Sequence, residues 1–289
     1  MKVLVTGGTG FVGPRIVHAL RAQGRDVRVL VRSPERGTHV QSLGAELAVG
    51  DVTDPDSLAA AANGCTHVVH LVAIITGKPA AFDLVMSQGT HNLVDAARNA
   101  GVERFVLMSA LGSGEVPYYR AKREMEQTVK SSGLEHVIFR PSFVFGRGGA
   151  LSTFVKQVKY SPVVTVIGPG LQRSAPIWID DVAAYFAASL DHDGAANRVF
   201  ELGGPDVVTW NELYLEIARA LGKRRAFVHV PFSVARAGAR LTQSLPGAPL
   251  SADQVEMLAG PDNVPTTDDA VQTFQLPLVP LAEQLRRST

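Results

Sequence analysis

Short β-branched runs alternate along the first half of the chain with stretches whose apolar residues recur every three or four positions. Lys2–Thr6 (KVLVT) has the first pattern and ends in glycines; Phe11–Gln23 has the second and stops at Gly24, which predicts strand, tight loop and helix. Val27–Val31 and Ala45–Val49 read as strands, Pro55–Asn63 as a helix and Val68–Val72 as a buried strand. A long helix near Phe82–Ala100, a strand at Arg104–Met108, a helix near Pro117–Ser131 and a strand at His136–Arg140 follow. Such alternation predicts an α/β fold, a doubly wound parallel sheet covered by helices on both faces.

The rhythm then breaks. Gly146, Gly148, Gly149, Gly168 and Gly170, with Pro162 and Pro169, predict loops leaving the sheet between Gly146 and Gln172. Ile179–Leu190 resumes as a helix with Asp180 and Asp181 at its positive end, and Arg198–Leu202 reads as a final strand. Thr209 precedes a helical stretch, Trp210–Leu221, closed by Gly222. The expected division is a sheet domain over 1–146 plus 178–205 and a small C-terminal substrate lobe over 147–177 plus 206–289.

Composition narrows the function classes. Hydrophobic residues make up 46% and charged residues 19% of 289, enough for a sizeable core and unlike a disordered chain. Lys+Arg number 28 against 27 Asp+Glu, so there is no electrostatic footprint for nucleic acid. The single Cys65 excludes an internal disulfide and suits a reducing compartment, as a buried thiol. The opening apolar run is too short for an export signal, and no stretch reaches the roughly 18–20 apolar residues of a membrane span. A cytoplasmic location is expected, with peripheral membrane attachment left open. His67 and His70 fall on opposite or skewed faces of a strand, so they predict packing and no metal site.

The chemistry begins at Gly7-Gly8-Thr9-Gly10-Phe11-Val12-Gly13, a G-x-x-G-x-x-G run between the first strand and first helix. Glycines let backbone approach a pyrophosphate, and the free N–H groups and dipole of the helix start favour its charge. In that context the run predicts a dinucleotide-binding Rossmann fold. At the end of the second strand, where an acid would hold the ribose hydroxyl of NAD(H), the sequence has Arg32, followed by Ser33 and Arg36. These suit a 2′-phosphate and favour NADP(H) over NAD(H).

With these features the sequence resembles the short-chain dehydrogenase/reductase superfamily in its extended and atypical, epimerase/dehydratase-like branches. TGGTGFVG at 6–13 is similar to the family's cofactor loop. GDVTD at 50–54 resembles its acidic turn, which implies that Asp51 and Val52 meet the adenine, and HLVA at 70–73 places Leu71, Val72 and Ala73 beside the riboses. RPSFVFG at 140–146 resembles the segment on the nicotinamide side, implicating Pro141 and Phe143. The resemblance assigns Tyr118 and Lys122, in YYRAK, to the reactive Tyr-x-x-x-Lys pair: Lys122 binds the ribose and lowers the phenol pKa, and Tyr118 exchanges a proton with a carbonyl or alcohol. Residues four apart share a helix face. Tyr119 is expected to point elsewhere. Where the family carries a serine or threonine after the fifth strand this chain has Leu111, leaving Ser109 and Ser113 as substitutes, with Ser109 the catalytic candidate.

Within the superfamily, YYRAKREMEQTVKSSGLEHVIFRPSFVFGRGG, IWIDDVAAYFAASL, FELGGPDVVTWNELYLEIARALGK and LSADQVEMLAGPDNV resemble the group that includes the 39-kDa accessory subunit of respiratory complex I. Two functions follow as expectations: an NADP(H)-dependent oxidoreductase or epimerase acting through Tyr118 and Lys122 on a small molecule, or an NADPH-holding accessory protein peripheral to a membrane respiratory complex. Trp178 and Trp210 read as lobe anchors rather than pocket walls. Phe232–Leu245 reads as a lobe helix with solvated Arg236 and Arg240.

Overall fold

The computed structural model describes residues 1–242 and 251–288. Seven parallel strands form its centre: β1 (Lys2–Thr6), β2 (Asp26–Val31), β3 (Glu46–Val49), β4 (His67–His70), β5 (Arg104–Met108), β6 (Glu135–Pro141) and the edge strand Arg198–Leu202. Across the sheet the order is Arg198–Leu202, β6, β5, β4, β1, β2, β3. The chain winds outward from β1 in one direction and from β4 in the other, so the two halves part between β1 and β4. Open α/β sheets bind ligands at such a switch point, beyond the strands' carboxyl ends.

The period-two alternation of β1 explains the two layers of helices. Val3 and Val5 pack with Ile16, Val17 and Leu20 of α1 (Gly13–Ala22) and with Val182 and Phe186 of the helix Ile179–Ala188. Leu4 faces the other way, into Leu58, Leu93 and Met125. Each face has its own core.

Most elements lie within a residue or two of the pattern read from the sequence. The pattern did not predict α2 (Pro34–Ser42), whose residues are mostly polar and of which Gly37 and Val40 are buried. β4 ends at His70 rather than continuing to Val72, because the glycine loop crosses there: a Cβ on Gly7 would lie 2.9 Å from backbone atoms of Leu71 and Val72. After α3 (Pro55–Ala62), the expected long helix is α4 (Pro79–Phe82), a π-helical segment (Asp83–Gln88) and α5 (Gly89–Asn99) in continuity. α6 (Pro117–Lys130) follows β5.

Between Gly146 and Gln172 the expectation of loops is corrected. The segment holds α7 (Ala150–Tyr160) and a strand, Val163–Ile167, paired in parallel with Ala226–Val230. Glycines and prolines at its ends masked the helical repeat of Leu151, Val155 and Val158, all buried. α8 (Ile179–Ala188) leads back into the sheet, and α9 (Trp210–Ala220) starts with a capping box between Thr209 and Glu212. α10 covers Phe232–Thr242; the remainder of the expected 232–245 helix lies outside the described residues. Arg236 is not free in solvent as expected. It makes a two-pronged ion pair with Glu256 of α11 (Ala252–Ala259), at 2.6 and 2.9 Å.

Candidate functional site

The three spaced glycines do different jobs. Gly7 has φ +74°, a left-handed turn that lets β1 break into the loop. Gly13 opens α1 against the loop itself, where a Cβ would lie 2.3 Å from the carbonyl oxygen of Gly8. Gly10 meets only the Gly7 oxygen, at 3.2 Å, and with Thr9 and Phe11 it faces solvent. Val12 caps α1 without a side-chain hydrogen bond, and the first turn holds no acid. Its N–H groups are therefore aimed at the open side, a cradle that fits a pyrophosphate. The Phe11 ring lies over Gly149 and Gly146, whose missing side chains make room for it.

Beyond β2, Arg32 and Arg36 are exposed, and neither guanidinium makes an ion pair or hydrogen bond among the described residues. Ser33 stands at the start of α2 without a capping bond. Across the opening, one Asp51 oxygen accepts from the N–H and hydroxyl of Thr53, at 2.9 and 2.8 Å, leaving the other free. Val52 is buried against Gly89, and its carbonyl accepts from Asn92. Leu71, Val72 and Ala73 run past Gly7 as irregular chain.

Below this loop lies a buried polar chain that sequence reading treated as packing. The Thr90 hydroxyl donates to the Met86 carbonyl at 2.5 Å, so it accepts from His70 Nε2 at 3.0 Å. His70 Nδ1 then accepts from the Thr6 hydroxyl at 2.6 Å. His70 has no solvent exposure, and burial, helped by the charge of Lys122, lowers its pKa to about 3. The imidazole is neutral and joins the residue before Gly7 to α5.

α6 carries Tyr118 and Lys122 on one face. The Lys122 ammonium donates to the Met108 carbonyl at the end of β5, 2.7 Å away, and lies 5.8 Å from the Tyr118 ring centre. Burial lowers Lys122 to about 7, opposed by Glu126; burial and then Tyr119 raise Tyr118 above the ordinary phenol range, which corrects the expectation that Lys122 lowers the phenol pKa. One turn further on, Glu126 accepts from both Arg140 Nε and Nη2, at 2.8 and 2.6 Å, and from Ser109 Oγ at 2.6 Å. Ser109 is thus tied to a carboxylate. The spacing Tyr118, Lys122, Glu126 was visible in the sequence as one helical stripe, and Glu126 is the member that reading missed.

On the lobe side, Leu111 donates its N–H to the Pro141 carbonyl at 2.9 Å, and its own carbonyl accepts from Asn263 Nδ2. Asn263 Oδ1 in turn accepts from Ser142 Oγ at 2.6 Å. One side chain from the C-terminal segment thereby clips the ends of β5 and β6. Phe143, Tyr119 and Trp210 line a crevice closed by Leu258. Tyr119 points away from the Tyr118 and Lys122 face: its ring lies against Gly112, where a Cβ would come within 2.4 Å of the phenol oxygen. Trp210 is both anchor and wall. No cluster of three or more metal-ligating side chains occurs among the described residues.

Comparison with known proteins bears on the family and the fold. A family model described as NAD(P)H-binding matches residues 7–193. The ceramide reductase of Caulobacter vibrioides is 30% identical over 234 residues, covering 79% of this chain and 73% of that protein. The NADH dehydrogenase [ubiquinone] 1 alpha subcomplex subunit 9 of Arabidopsis thaliana is 28% identical over 303 residues, covering 96% of this chain and 73% of its own. Among solved structures, an NADPH-dependent quinone oxidoreductase from Escherichia coli has the same fold, with a TM-score of 0.78 at 19% identity over 98% of both chains.

Proposed function

Because the chain belongs to the NAD(P)H-binding family, within the extended and atypical short-chain dehydrogenases/reductases, we propose that it is an NADPH-dependent reductase of a carbonyl compound. The observation that carries this reading is the placing of the half-buried Tyr118 and the buried Lys122 on one face of α6, beside the carboxyl end of β5. The loop from Gly7 to Gly13 would hold the pyrophosphate, Asp51 and Val52 the adenine side, Leu71 to Ala73 the riboses, and Pro141 and Phe143 the nicotinamide side. Arg32, Ser33 and Arg36 would bind a 2′-phosphate, for which two unpaired guanidinium groups are available.

The chemistry that a nicotinamide held there would supply is hydride, to the carbonyl carbon. Tyr118, held protonated at neutral pH by its raised pKa, gives its proton to the carbonyl oxygen. Lys122, fixed by the Met108 carbonyl, supports the phenolate left behind. Tyr118→Phe should lower kcat for NADPH oxidation by a carbonyl about 10²–10⁴-fold while leaving NADPH affinity within a few fold. Undiminished turnover would remove Tyr118 from the chemistry.

One observation favours the accessory reading instead. Ser109 is committed to Glu126, and Leu111 offers no hydroxyl, so the carbonyl lacks the partner the resemblance implies. The similar Arabidopsis protein is a subunit of NADH dehydrogenase by its name, and no described helix is long and apolar enough to cross a membrane. NADPH that stays bound through purification, and that no carbonyl oxidises, would support a cofactor-holding role on the periphery of a respiratory complex.

A further inference from the structure

We propose that the crevice beside Tyr119 selects an uncharged, flat, apolar carbonyl compound that also bears a hydroxyl or N–H group, read by Gln172. The assignment rests on the reductase reading and names the substrate class that reading leaves open.

The walls argue for a flat apolar ligand. Trp210 is wedged edge-to-face between Phe143 and Phe154, with ring centres 5.1 and 5.3 Å away. This gives a rigid aromatic side, with Tyr119 as its neighbour. Met257 and Leu258 of α11 close the crevice opposite.

The polar groups argue for neutrality and for one hydrogen bond. Among the described residues Arg173 is the only basic one in the lining, and Asp262 holds it, taking its Nε and backbone N–H at 2.8 Å each. No free cation among the described residues remains there to balance a diphosphate, which argues against a sugar nucleotide. Gln172 Oε1 is sealed from solvent and has no hydrogen-bond partner. A buried acceptor left unpaired costs stability, and a donor on the ligand would satisfy it. The crevice, at about 20 Å³, has room for about one water. A substrate therefore enters only when the α11 wall, held by Arg236–Glu256 and the Asn263 clip, draws back.

The test uses the full chain loaded with NADPH, with para-hydroxyacetophenone, its para-methoxy analogue and UDP-glucose as probes, read by tryptophan emission and by NADPH oxidation. The hydroxy ketone should quench emission, and Trp210→Phe should abolish that quenching. Gln172→Leu should weaken the hydroxy ketone about tenfold and the methoxy ketone less than about twofold. Quenching by UDP-glucose at lower concentration than either ketone, equal loss of both ketones in Gln172→Leu, or no quenching by the ketones would overturn the assignment. Ketone binding with the Gln172 signature but without NADPH oxidation would uphold the crevice and end the reductase reading.

Discussion

The glycine loop and the lobe-side crevice are built differently. The loop is contiguous in sequence and presents backbone; its glycines are fixed by contacts with β1, β2 and the end of β4. The crevice is assembled from the turn after β5, from α6, the end of β6, the Gln172–Arg173 strand entry, α9 and α11, and it presents side chains. A pyrophosphate can be held by N–H groups that every residue carries, so the loop's chemistry is written into the fold. Side chains on separate segments can be exchanged without disturbing the sheet. The first region sets what the fold binds, and the second sets what a particular chain acts on.

Gly13→Ala against Gly10→Ala should break this comparison most visibly. At Gly13 the new methyl meets the Gly8 backbone at 2.3 Å, and backbone cannot swing away as a side chain can. We expect a loss of about 3 kcal/mol or more, read from the urea midpoint, and no measurable cofactor binding. At Gly10 the methyl meets only one carbonyl oxygen, at 3.2 Å, on the solvent side. Stability should change by less than about 1 kcal/mol while NADPH affinity falls. If the two variants lost stability equally, the division of labour among the glycines would be wrong.

The same contrast explains what the sequence disclosed. Val3, Leu4 and Val5 announce a two-faced strand because burial follows directly from local alternation. Arg198–Leu202 was legible for the same reason, although its pairing with β6 joins residues some sixty positions apart. Tyr118 and Lys122 were legible through their spacing and their place after β5. Asn263, Gln172 and Tyr119 were not, because nothing local distinguishes them. Asn263 matters only because the C-terminal segment returns to Leu111 and Ser142, and Tyr119 faces the crevice only because Gly112 lets the turn lie against it. α7 was hidden for a different reason, its flanking glycines and prolines outweighing three well-spaced apolar residues.

A smaller effect should sharpen the loop side. Arg32 and Arg36 lie outside the sheet and have no partners among the described residues, so replacing both with Ser should leave the urea midpoint unchanged. NADPH should bind about 10–100-fold more weakly and NADH nearly as before, as expected for charge-assisted bonds to a 2′-phosphate. Isothermal titration with both nucleotides measures this. Equal weakening of the two would remove the arginines from cofactor selection.

The loop also has one long-range dependence, and it is sensitive to pH. Thr6, immediately before Gly7, hydrogen-bonds the neutral His70, which Thr90 holds from the other side. The folded pKa of His70 is lowered to about 3, below the ordinary histidine value near 6.5. Between these values the unfolded chain carries the extra proton. The contribution of His70 is therefore complete above about pH 6.5 and declines as pH falls toward 3, by at most about 1.4 kcal/mol per pH unit. Other carboxylates titrate in the lower part of that window, so the quantity to measure is the stability difference between the parent and His70→Gln. That difference should shrink from pH 7 to pH 5, while His70 in the folded parent stays neutral over that range. A difference constant with pH would mean that His70 takes its proton without leaving the chain between Thr6 and Thr90, and the loop would then be as self-contained as its sequence is contiguous.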